Sequence, residues 1–462
     1  MTRRSPGATP PASVVIDVVE PGQRTRRGAQ RCEIGVDLEF STDSLESYFF
    51  ARWEPVAYDA LLVAAAVEFA DVTSRRPAFQ WRRHLDVRVP VHDPDRWSSP
   101  AVSRSLHDAL SFLTGDEWAI HFYARKDEEA APRQSLLTLA PDVEAVIPYS
   151  NGLDSRAVAA LLSREMRGAL VRVRLGSVAS NGDVVPHREA FTRVPYRVHA
   201  PRGARCESSG RSRGFKFAVI SAIAAFLAGA KRIVVPESGQ GALGPVLVPV
   251  GQAYEDYRSH PLFTRRMEVF VEALFEANVA FTFPRIWMTK GETLREYVTT
   301  CADASWESTR SCWQQNRHVS VAGKARQCGI CAACILRRMS VHAAGLEESR
   351  EHFVWEDLSA PSFEAGVAKS FDRAKMTGRM REYAIAGTLH MDHLAALPSS
   401  NANAARLRVA AFQLSQAVGL AQAESRARID RLLSQHAEEW AAFVRSLGRD
   451  SFISQWAGSV AR

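Results

Sequence analysis

The sequence predicts an α/β fold built on a doubly wound parallel sheet, together with a four-cysteine zinc loop, an N-terminal α+β module and a C-terminal helical region. Three observations lead to this prediction. Apolar strands alternate with helices between residues 143 and 235, four cysteines crowd into residues 312–334, and an Ala- and Leu-rich helical periodicity begins near residue 350. Strands that alternate with helices of this length are typical of βαβ units and a parallel sheet.

The alternating strands and helices define a central domain over residues 141–348. An apolar strand at 143–149 leads through a polar loop into a helix at 154–166. The pattern continues with a strand at 169–175, a helix at 215–228 and a strand at 231–235. The carboxyl edge of such a sheet is where doubly wound folds bind their ligands, so the loops after these strands are the first place to look for a site.

The segments on either side of this domain have different patterns. Residues 1–30 are rich in Pro, Gly, Arg and Ser, which predicts a flexible basic tail. Residues 31–140 mix strand and helix patterns and predict an α+β module, with strands at 84–89 and 118–123 and a helix at 103–113. Residues 349–462 predict a helical region.

Composition excludes several classes of protein. At 462 residues the chain exceeds what one hydrophobic core organises. It has no apolar run of about 18 residues and no secretory signal, so we expect a cytoplasmic protein without a membrane partner. The net charge is +7, but six arginines face only two acidic residues within the first 31 positions, and no aromatic residues interleave with them. A nucleic-acid partner is therefore not favoured.

The loop Ser150–Ser155 lies between a predicted strand and a predicted helix. Such a loop aims backbone N–H groups and the positive end of a helix dipole at one point, which suits a polyphosphate. Ser150 and Ser155 can add hydroxyl donors, and Gly152 allows either a close approach of the backbone or a positive φ. The alternative is that Asp154 or Ser155 simply caps the helix.

The cysteine cluster predicts a metal site. Cys312, Cys328, Cys331 and Cys334 supply four thiolates, with two two-residue spacers, and this spacing suits tetrahedral zinc. An iron–sulfur cluster is the alternative, although no Cys-Pro follows Cys334. The three cysteines outside the cluster form no recognisable nucleophile motif: Cys32, Cys206 and Cys301.

These motifs resemble those of a known enzyme superfamily. The loop Ser150–Ser155 is similar to the Ser-Gly-Gly-x-Asp-Ser loop of the PP-loop ATP pyrophosphatases, which have an adenine nucleotide alpha hydrolase-like fold. Asn151 replaces one glycine of that pattern. Asn is the non-glycine residue that best tolerates a left-handed φ, so the turn can survive; the alternative is a degenerate site that binds nucleotide without turnover.

The cysteine region narrows the resemblance. Its pattern Cys-Gly-x-Cys-x-x-Cys-x-x-Arg ends at Arg337, follows the segment Thr309–Trp313, and is preceded by Lys290-Gly291-Glu292 at a helix start. Together these features resemble 7-cyano-7-deazaguanine synthase, the QueC family, over about residues 143–345. The family's Gly-Tyr-Pro-Asp-Cys segment is absent, and residues 236–243 and 259–261 stand in its place.

The resemblance implies ATP, Mg²⁺ and Zn²⁺ as cofactors and assigns residues to roles. The implied catalytic residues are Ser150, Asp154, Ser155 and Lys290. The implied ATP-binding residues are Ser150, Asn151, Gly152, Leu153, Asp154, Ser155 and Arg213. The residues we expect to bind the substrate are Glu237, which could pair with a guanine-like N1–H and amine, and Gly239. For Arg213 the alternative is a surface basic turn, and for Glu237 it is a cap or a solvent-facing side chain.

The activity implied is adenylation of a 7-carboxy-7-deazaguanine-like carboxylate, followed by amide formation. The extra length resembles QueC-like proteins of bacterial antiviral gene clusters, in which the amine would belong to a protein. We expect residues 31–140, with the C-terminal helices, to dock that acceptor; oligomerisation, for instance as a homodimer, or simple stabilisation is the alternative. Other functions left open are an ammonia-dependent nitrile synthase, a PP-loop tRNA-modifying enzyme and a non-catalytic nucleotide-binding defence component.

Overall fold

The computed structural model describes residues 13–40, 55–76, 82–126, 142–176, 194–201, 207, 210–251, 253–302, 304–314, 319–399 and 401–458. Contacts between Cα atoms divide the chain into two units, each made of several segments. Unit 1 comprises Met1–Val146, Val171–Ile233 and Phe263–Ala280, and unit 2 comprises Ile147–Leu170, Val234–Leu262 and Phe281–Arg462. This division differs from the expected linear succession of domains, because local periodicity reports the type of an element and not its distant neighbours.

The strands of the described residues are β1 (Val14–Val19), β2 (Gln30–Glu33), β3 (Leu38–Phe40), β4 (His84–Val91), β5 (Glu117–Ala124), β6 (Ala145–Pro148), β7 (Leu170–Val173), β8 (Leu175–Gly176), β9 (Val194–Val198), β10 (Arg232–Val234), β11 (Ala280–Thr282), β12 (Ser320–Val321) and β13 (Lys324–Ala325). The helices are α1 (Pro55–Thr73), α2 (Pro94–Ser98), α3 (Pro100–Thr114), α4 (Leu153–Met166), α5 (Arg213–Ala228), α6 (Gly239–Ala242), α7 (Gly244–Leu247), α8 (Pro261–Phe275), α9 (Lys290–Thr300), α10 (Ala332–Ala343), α11 (Gly378–Ala396), α12 (Ala404–Val418), α13 (Gln422–Leu447) and α14 (Phe452–Trp456).

Unit 1 contains a parallel sheet with the strand order β2-β1-β4-β5. In its register Val14 pairs with Leu85 and Ile16 pairs with Gln30. Strand β1 falls within the first 30 residues, where we expected a flexible tail. Val18 and Val19 are buried. The apolar run of β1 is short and lies between Pro- and Arg-rich segments, so the local pattern did not predict a strand. Its pairing with β4 places it in the core. The described residues of 31–140 contain both helices and strands, as we expected. The strands β2, β4 and β5 of this segment belong to the parallel sheet described above.

A second four-stranded sheet has the order β11-β10-β6-β7, with β6 and β10 parallel. The loops that follow the carboxyl ends of β6 and β10 belong to unit 2. Both strands and the helices α4 and α5 lie where the sequence predicted them. The predicted α/β fold with parallel sheets is confirmed. Smaller sheets have the orders β3-β9-β8 and β12-β13.

The predicted C-terminal helical region is confirmed as α11–α14. The 26-residue helix α13 packs against α10, α11 and α12 within unit 2. Its Trp440 is fully buried, and the indole N–H donates to Asp392 at 3.0 Å. Among the residues that the structure describes, no helix combines the length and the apolar character needed to cross a membrane.

Unit 1 contains a cluster of buried, paired charges. Arg83 is 2 % exposed and donates to Asp71 at 2.5 Å and to Asp116 at 2.6 Å. Arg76 adds a second guanidinium at 2.5 Å from Asp116. Burial alone would raise the pKa of Asp116, but the hydrogen bonds from Arg83 and Arg76 outweigh it and lower that pKa below its ordinary value. The cluster therefore stabilises the fold above the unfolded pKa of Asp116 and loses this contribution as the pH falls through its folded pKa.

We predict that Arg83→Met destabilises the protein by about 3–5 kcal/mol, because it removes the buried guanidinium that Asp71 and Asp116 share and leaves Arg76 as the remaining cation of the cluster. Urea unfolding at neutral pH measures the change. Arg104→Met is the matched control, since Arg104 is exposed on α3 of the same unit. Equal unfolding midpoints for the two variants would contradict this reading of the cluster.

Candidate functional site

The loop Ser150–Ser155 connects the end of β6 to the start of α4. Ser150 and Asn151 are exposed, whereas Asp154 and Ser155 are buried. Helix α4 begins after Gly152, and no side chain caps its first turn. The alternative that Asp154 or Ser155 caps the helix is therefore wrong. The first-turn N–H groups of α4 are left without a side-chain acceptor beside two exposed loop residues.

Hydroxyl groups organise this loop. The oxygens Ser150 Oγ and Ser155 Oγ are 2.9 Å apart, and Ser150 Oγ accepts the Gly152 N–H at 3.0 Å. Ser155 Oγ also accepts the Ser150 N–H at 3.2 Å. Gly152 has a φ of −74°, and Asn151 is not among the described residues with positive φ. The loop thus keeps its shape without the left-handed backbone that we invoked for these two positions.

A buried ion pair lies directly beneath the loop. Asp154, in the first turn of α4, pairs through Oδ2 with the ammonium group of Lys290. The two residues are 8 % and 7 % exposed. The second carboxylate oxygen, Asp154 Oδ1, is buried and has no hydrogen-bond partner among the described residues. The structure brings together two of the predicted catalytic residues that are 136 positions apart.

Lys290 is the first residue of α9, as the Lys-x-Glu pattern predicted. Thr289 caps this helix: its hydroxyl accepts the Glu292 N–H, and the Glu292 carboxylate accepts the Thr289 N–H. This reciprocal arrangement is a capping box. Glu292 also binds Arg431. The box fixes the start of α9 and therefore the base of the Lys290 side chain.

Glu237 follows β10 and is half-buried near the same pair. Burial raises its pKa to about 7, the negative charge of Asp154 adds to this effect, and the cations Lys290 and Arg258 oppose it. Such a carboxyl group changes its charge near neutral pH. Perturbed carboxyl groups of this kind concentrate at functional sites. The side chain is half-buried and so is not fully solvent-facing, and its expected contact with substrate stays a prediction.

Two glycines of α6 lie very close to neighbouring atoms. A Cβ on Gly241 would lie 2.3 Å from the Glu237 carboxylate, so glycine makes room for that side chain. A Cβ on Gly239 would lie 2.3 Å from the Ile286 carbonyl oxygen, and the Gly239 N–H already donates to the Met288 carbonyl at 2.9 Å. Gly239 thus has a packing role, and its expected contact with substrate stays a prediction.

Sequence reasoning missed two residues near Glu237. Arg258 forms a half-buried ion pair with Asp256, with Nε 2.7 Å from the carboxylate. This pair belongs to no recognisable sequence motif. The one available signal is that Arg258 lies two residues before His260. His260 is 4 % exposed, and burial lowers its pKa to about 3. Its Nδ1 accepts the Leu262 N–H at 3.2 Å, which is consistent with a neutral residue that stabilises the turn.

Arg213 lies in unit 1 at the first position of α5. Its guanidinium carbon is 5.5 Å from the centre of the Phe217 ring. The neighbouring Ser212 N–H donates to Asp71 at 2.7 Å. The predicted contact of Arg213 with ATP stays a prediction. Leu153, which we also assigned to ATP binding, is buried in a cluster with Ala157 and Leu294.

The four cysteines of the predicted zinc loop converge. The sulfur atoms of Cys312, Cys328, Cys331 and Cys334 all lie within 4.8 Å of one another, and all four residues are buried. Backbone N–H groups point at two of them: Cys328 N is 3.1 Å from Cys312 Sγ, and Cys331 N is 3.3 Å from Cys328 Sγ. A closed set of four thiolates fits a structural zinc ion. Of the other cysteines, Cys206 lies outside the described residues.

The segment that precedes Cys312 is hydrogen-bonded to the loop Ser150–Ser155. The Arg310 N–H, two residues before Cys312, donates to the Asn151 carbonyl at 2.7 Å. Arg337 is fully buried and donates to Thr309 Oγ1 at 2.6 Å and to Glu348 at 2.9 Å, which fixes the segment that leads to Arg310. The cysteine cluster therefore anchors the backbone against which the loop Ser150–Ser155 rests.

We predict a pH dependence of stability that is due to Glu237. Because the folded pKa is raised to about 7 from an ordinary value of 4.5, its contribution is complete below pH 4.5 and is lost as the pH rises through 7. Melting temperatures of the wild type should therefore fall over this range relative to Glu237→Gln. Glu438→Gln, an exposed change on α13, should follow the wild type. Parallel curves for the wild type and Glu237→Gln would refute the shift.

We also predict one tightly bound zinc ion per chain. Cys331→Ser should lose the metal and melt at a much lower temperature, because zinc binding contributes directly to folding. Cys301→Ser is the control, since Cys301 lies in the same unit but outside the cluster. Elemental analysis of purified protein measures the content. Iron with acid-labile sulfide in anaerobically purified protein would show that the cluster is an iron–sulfur site.

The comparisons with known proteins agree with this site over part of the chain. Residues 247–345 match the family model described as Queuosine biosynthesis protein QueC. A comparison with curated proteins and one with solved structures found no match. The matched segment contains Lys290 and all four cysteines, whereas the loop Ser150–Ser155 and Glu237 precede it. Across the segment that carries the lysine and the cysteine cluster, the chain is similar to the QueC family.

Proposed function

We propose that this chain is a PP-loop enzyme that uses ATP to adenylate the carboxylate of a 7-deazaguanine-like substrate and then joins it to an amine. The observation that carries the proposal is the buried pair of Asp154 and Lys290 beneath the exposed loop at Ser150, with Glu237 close by. Its place in a chain that is QueC-like over 247–345 supports the substrate class.

The loop offers the groups that a triphosphate requires. Ser150 Oγ is exposed, the first turn of α4 lacks a side-chain cap, and the Lys290 ammonium supplies a positive charge at low exposure. Helix N-termini and ammonium groups both stabilise phosphate oxygens. Asp154 Oδ1, which has no hydrogen-bond partner among the described residues, is the oxygen that could hold Mg²⁺ or one of its waters. The metal would neutralise phosphate charge when it is bound.

Glu237 supplies a means of recognising the purine-like part of the substrate. In its ionised form a carboxylate accepts two parallel hydrogen bonds, as an N1–H and an adjacent amine would donate. Because the pKa of Glu237 is raised to about 7, a ligand with two donors would favour the charged form and lower that pKa. An analogue without the amine would leave one oxygen of a half-buried carboxylate unsatisfied, which costs binding.

The proposed reaction has two steps. A substrate carboxylate oxygen attacks the α-phosphorus of ATP, the bond to the bridging oxygen breaks, and pyrophosphate leaves with the electron pair. An amine then attacks the acyl-adenylate carbonyl, loses a proton and displaces AMP, which leaves an amide. Holding the acyl-adenylate and the amine in one site makes the second step effectively unimolecular, and this proximity supplies most of its rate enhancement.

We propose a protein amine as the acceptor, which fits the resemblance to enlarged QueC-like proteins of antiviral gene clusters. Residues 31–140 are the proposed docking module. Ammonia is the second candidate acceptor. The match to the QueC family favours it, because ammonia gives the primary amide from which a nitrile synthase of that family forms its product. The two acceptors give products of different mass from the same acyl-adenylate.

We predict that Ser150→Ala abolishes AMP and pyrophosphate release and lowers the melting temperature only slightly, because Ser150 is exposed and its hydroxyl bonds to neighbouring residues of the same loop. Asp154→Asn should abolish release as well, and should also lower stability, since it strands a buried ammonium group. Glu165→Gln removes an exposed charge from the same helix and should leave release unchanged. Assays with ATP and 7-carboxy-7-deazaguanine measure both nucleotides. ADP and phosphate as products would rule out adenylation.

The acceptor is identified with the full-length chain, because unit 1 also includes residues 171–233 and 263–280, so that removing residues 31–140 would dismantle it. The enzyme, ATP and the carboxylate are mixed with ammonium or with a co-encoded protein, and intact masses are measured. A protein that gains the mass of the acylated base, with the modification on an amine, supports a protein acceptor. Efficient nitrile formation without protein labelling would show that the chain is a nitrile synthase.

A further inference from the structure

The C-terminal helix α13 reaches the first turn of α9, where Lys290 lies. His436 and Glu439 are three positions apart and so face the same side of α13. Both are buried, at 0 % and 5 % exposure. Neither belongs to the segment 247–345 that matches the QueC family.

The first connection runs from His436 through Gln240 to Lys290. His436 Nε2 is 2.9 Å from the Met391 carbonyl oxygen, which can only accept, so Nε2 must carry the proton. Burial lowers the pKa of His436 to about 4 and keeps the ring neutral. His436 Nδ1 is therefore an acceptor, and it accepts the Gln240 side-chain amide N–H at 2.9 Å.

This tautomer decides which way the Gln240 amide points. With its nitrogen facing His436, its oxygen faces the Lys290 backbone N–H at 2.8 Å and accepts from it. The reversed amide would place two donors against each other at Lys290 and two acceptors at His436. One carbonyl group on α11 thus orients three groups in sequence, and the last of them is the backbone from which the Lys290 side chain extends.

The second connection runs from Glu439 to the cap of α9. The Thr289 hydroxyl donates to Glu439 Oε1 at 2.6 Å and accepts the Glu292 N–H at 3.0 Å. Because the hydroxyl hydrogen points at Glu439, a lone pair of the hydroxyl oxygen is directed at the Glu292 N–H and forms the capping bond. The residue before Lys290 is therefore fixed by the same face of α13 that fixes Lys290 itself.

We propose that His436, with Gln240, and Glu439 are positioning residues that hold the Lys290 ammonium against Asp154, so that the C-terminal helical region is part of the machinery of the nucleotide site. The inference rests on the proposed function in one respect, which is the role of Lys290 in the reaction. It gives the C-terminal helices a purpose other than the acceptor docking that we first expected of them.

The test compares three variants of the full-length chain. His436→Leu keeps an apolar volume but strands the Gln240 amide. His436→Gln offers an amide that can both accept from Gln240 and donate to Met391. His390→Leu is the matched control: His390 is also buried and neutral, with a pKa lowered to about 4 by burial, and it lies outside the chain of hydrogen bonds to Lys290.

The first readout is the rate at which a trace amine-acylating reagent labels Lys290, followed by peptide mass spectrometry at a temperature where every variant is folded. His436→Leu should raise this rate about tenfold, the scale of one buried group left unsatisfied. His436→Gln and His390→Leu should label like the wild type. Equal labelling of His436→Leu and His390→Leu would overturn the proposal.

The second readout is AMP release at saturating ATP. His436→Leu should lower kcat about tenfold relative to His390→Leu, and His436→Gln should restore it. If the wild type releases no AMP, the proposed function fails, while the labelling still decides whether α13 positions Lys290. If the wild type is active and both leucine variants have equal kcat, the positioning role is refuted and the function stands.

Discussion

The arrangement of unit 2 depends on the buried ion pair between Asp154 and Lys290. Each residue lies in the first turn of its helix, so two helices begin at one point and present the positive ends of their dipoles to it. An ammonium group at such a point would be unstable without compensation. The carboxylate provides that compensation, and a polyphosphate, with its larger negative charge, suits the same place.

The cysteine cluster is connected to the loop above the ion pair through the backbone between Arg310 and Cys312. It has no open coordination position for a substrate, yet it fixes Cys312, and through the short segment to Arg310 it fixes the carbonyl of Asn151. A metal ion bound by these cysteines would therefore stabilise the fold and would also help to determine the shape of a loop that carries no metal ligand. The buried Arg337 reinforces the same segment from α10.

Local sequence patterns predicted much of the fold, and together with the family resemblance they pointed to residues that the structure brings together. The strand–loop–helix around Ser150, the cap before Lys290 and the converging cysteines all leave short-range signatures. The residues that hold these elements in place, such as Gln240 and His436, have no short-range signature in the sequence. Nothing near Lys290 indicates that its backbone is held through Gln240 by His436, because helical periodicity identifies a buried face of α13 without identifying what covers it.

The missed strand β1 has a similar explanation. Six residues between Pro-rich and Arg-rich flanks carry too little pattern to predict a strand, and their place is determined by pairing with β4, about 70 residues further along the chain. The packing role of Gly239 also becomes visible only when the Ile286 carbonyl is brought against it.

The interleaved course of the chain affects how the protein is made. Unit 1 receives its last segment at Phe263–Ala280, after the chain has twice entered unit 2. The amino-terminal sheet therefore cannot complete its unit on the ribosome until residue 280 has been translated and has left the exit tunnel. At about 5–20 residues per second, translation leaves the early strands without their full complement of neighbours for tens of seconds. Chaperone binding during that interval would matter more for this chain than for one whose domains follow each other in order.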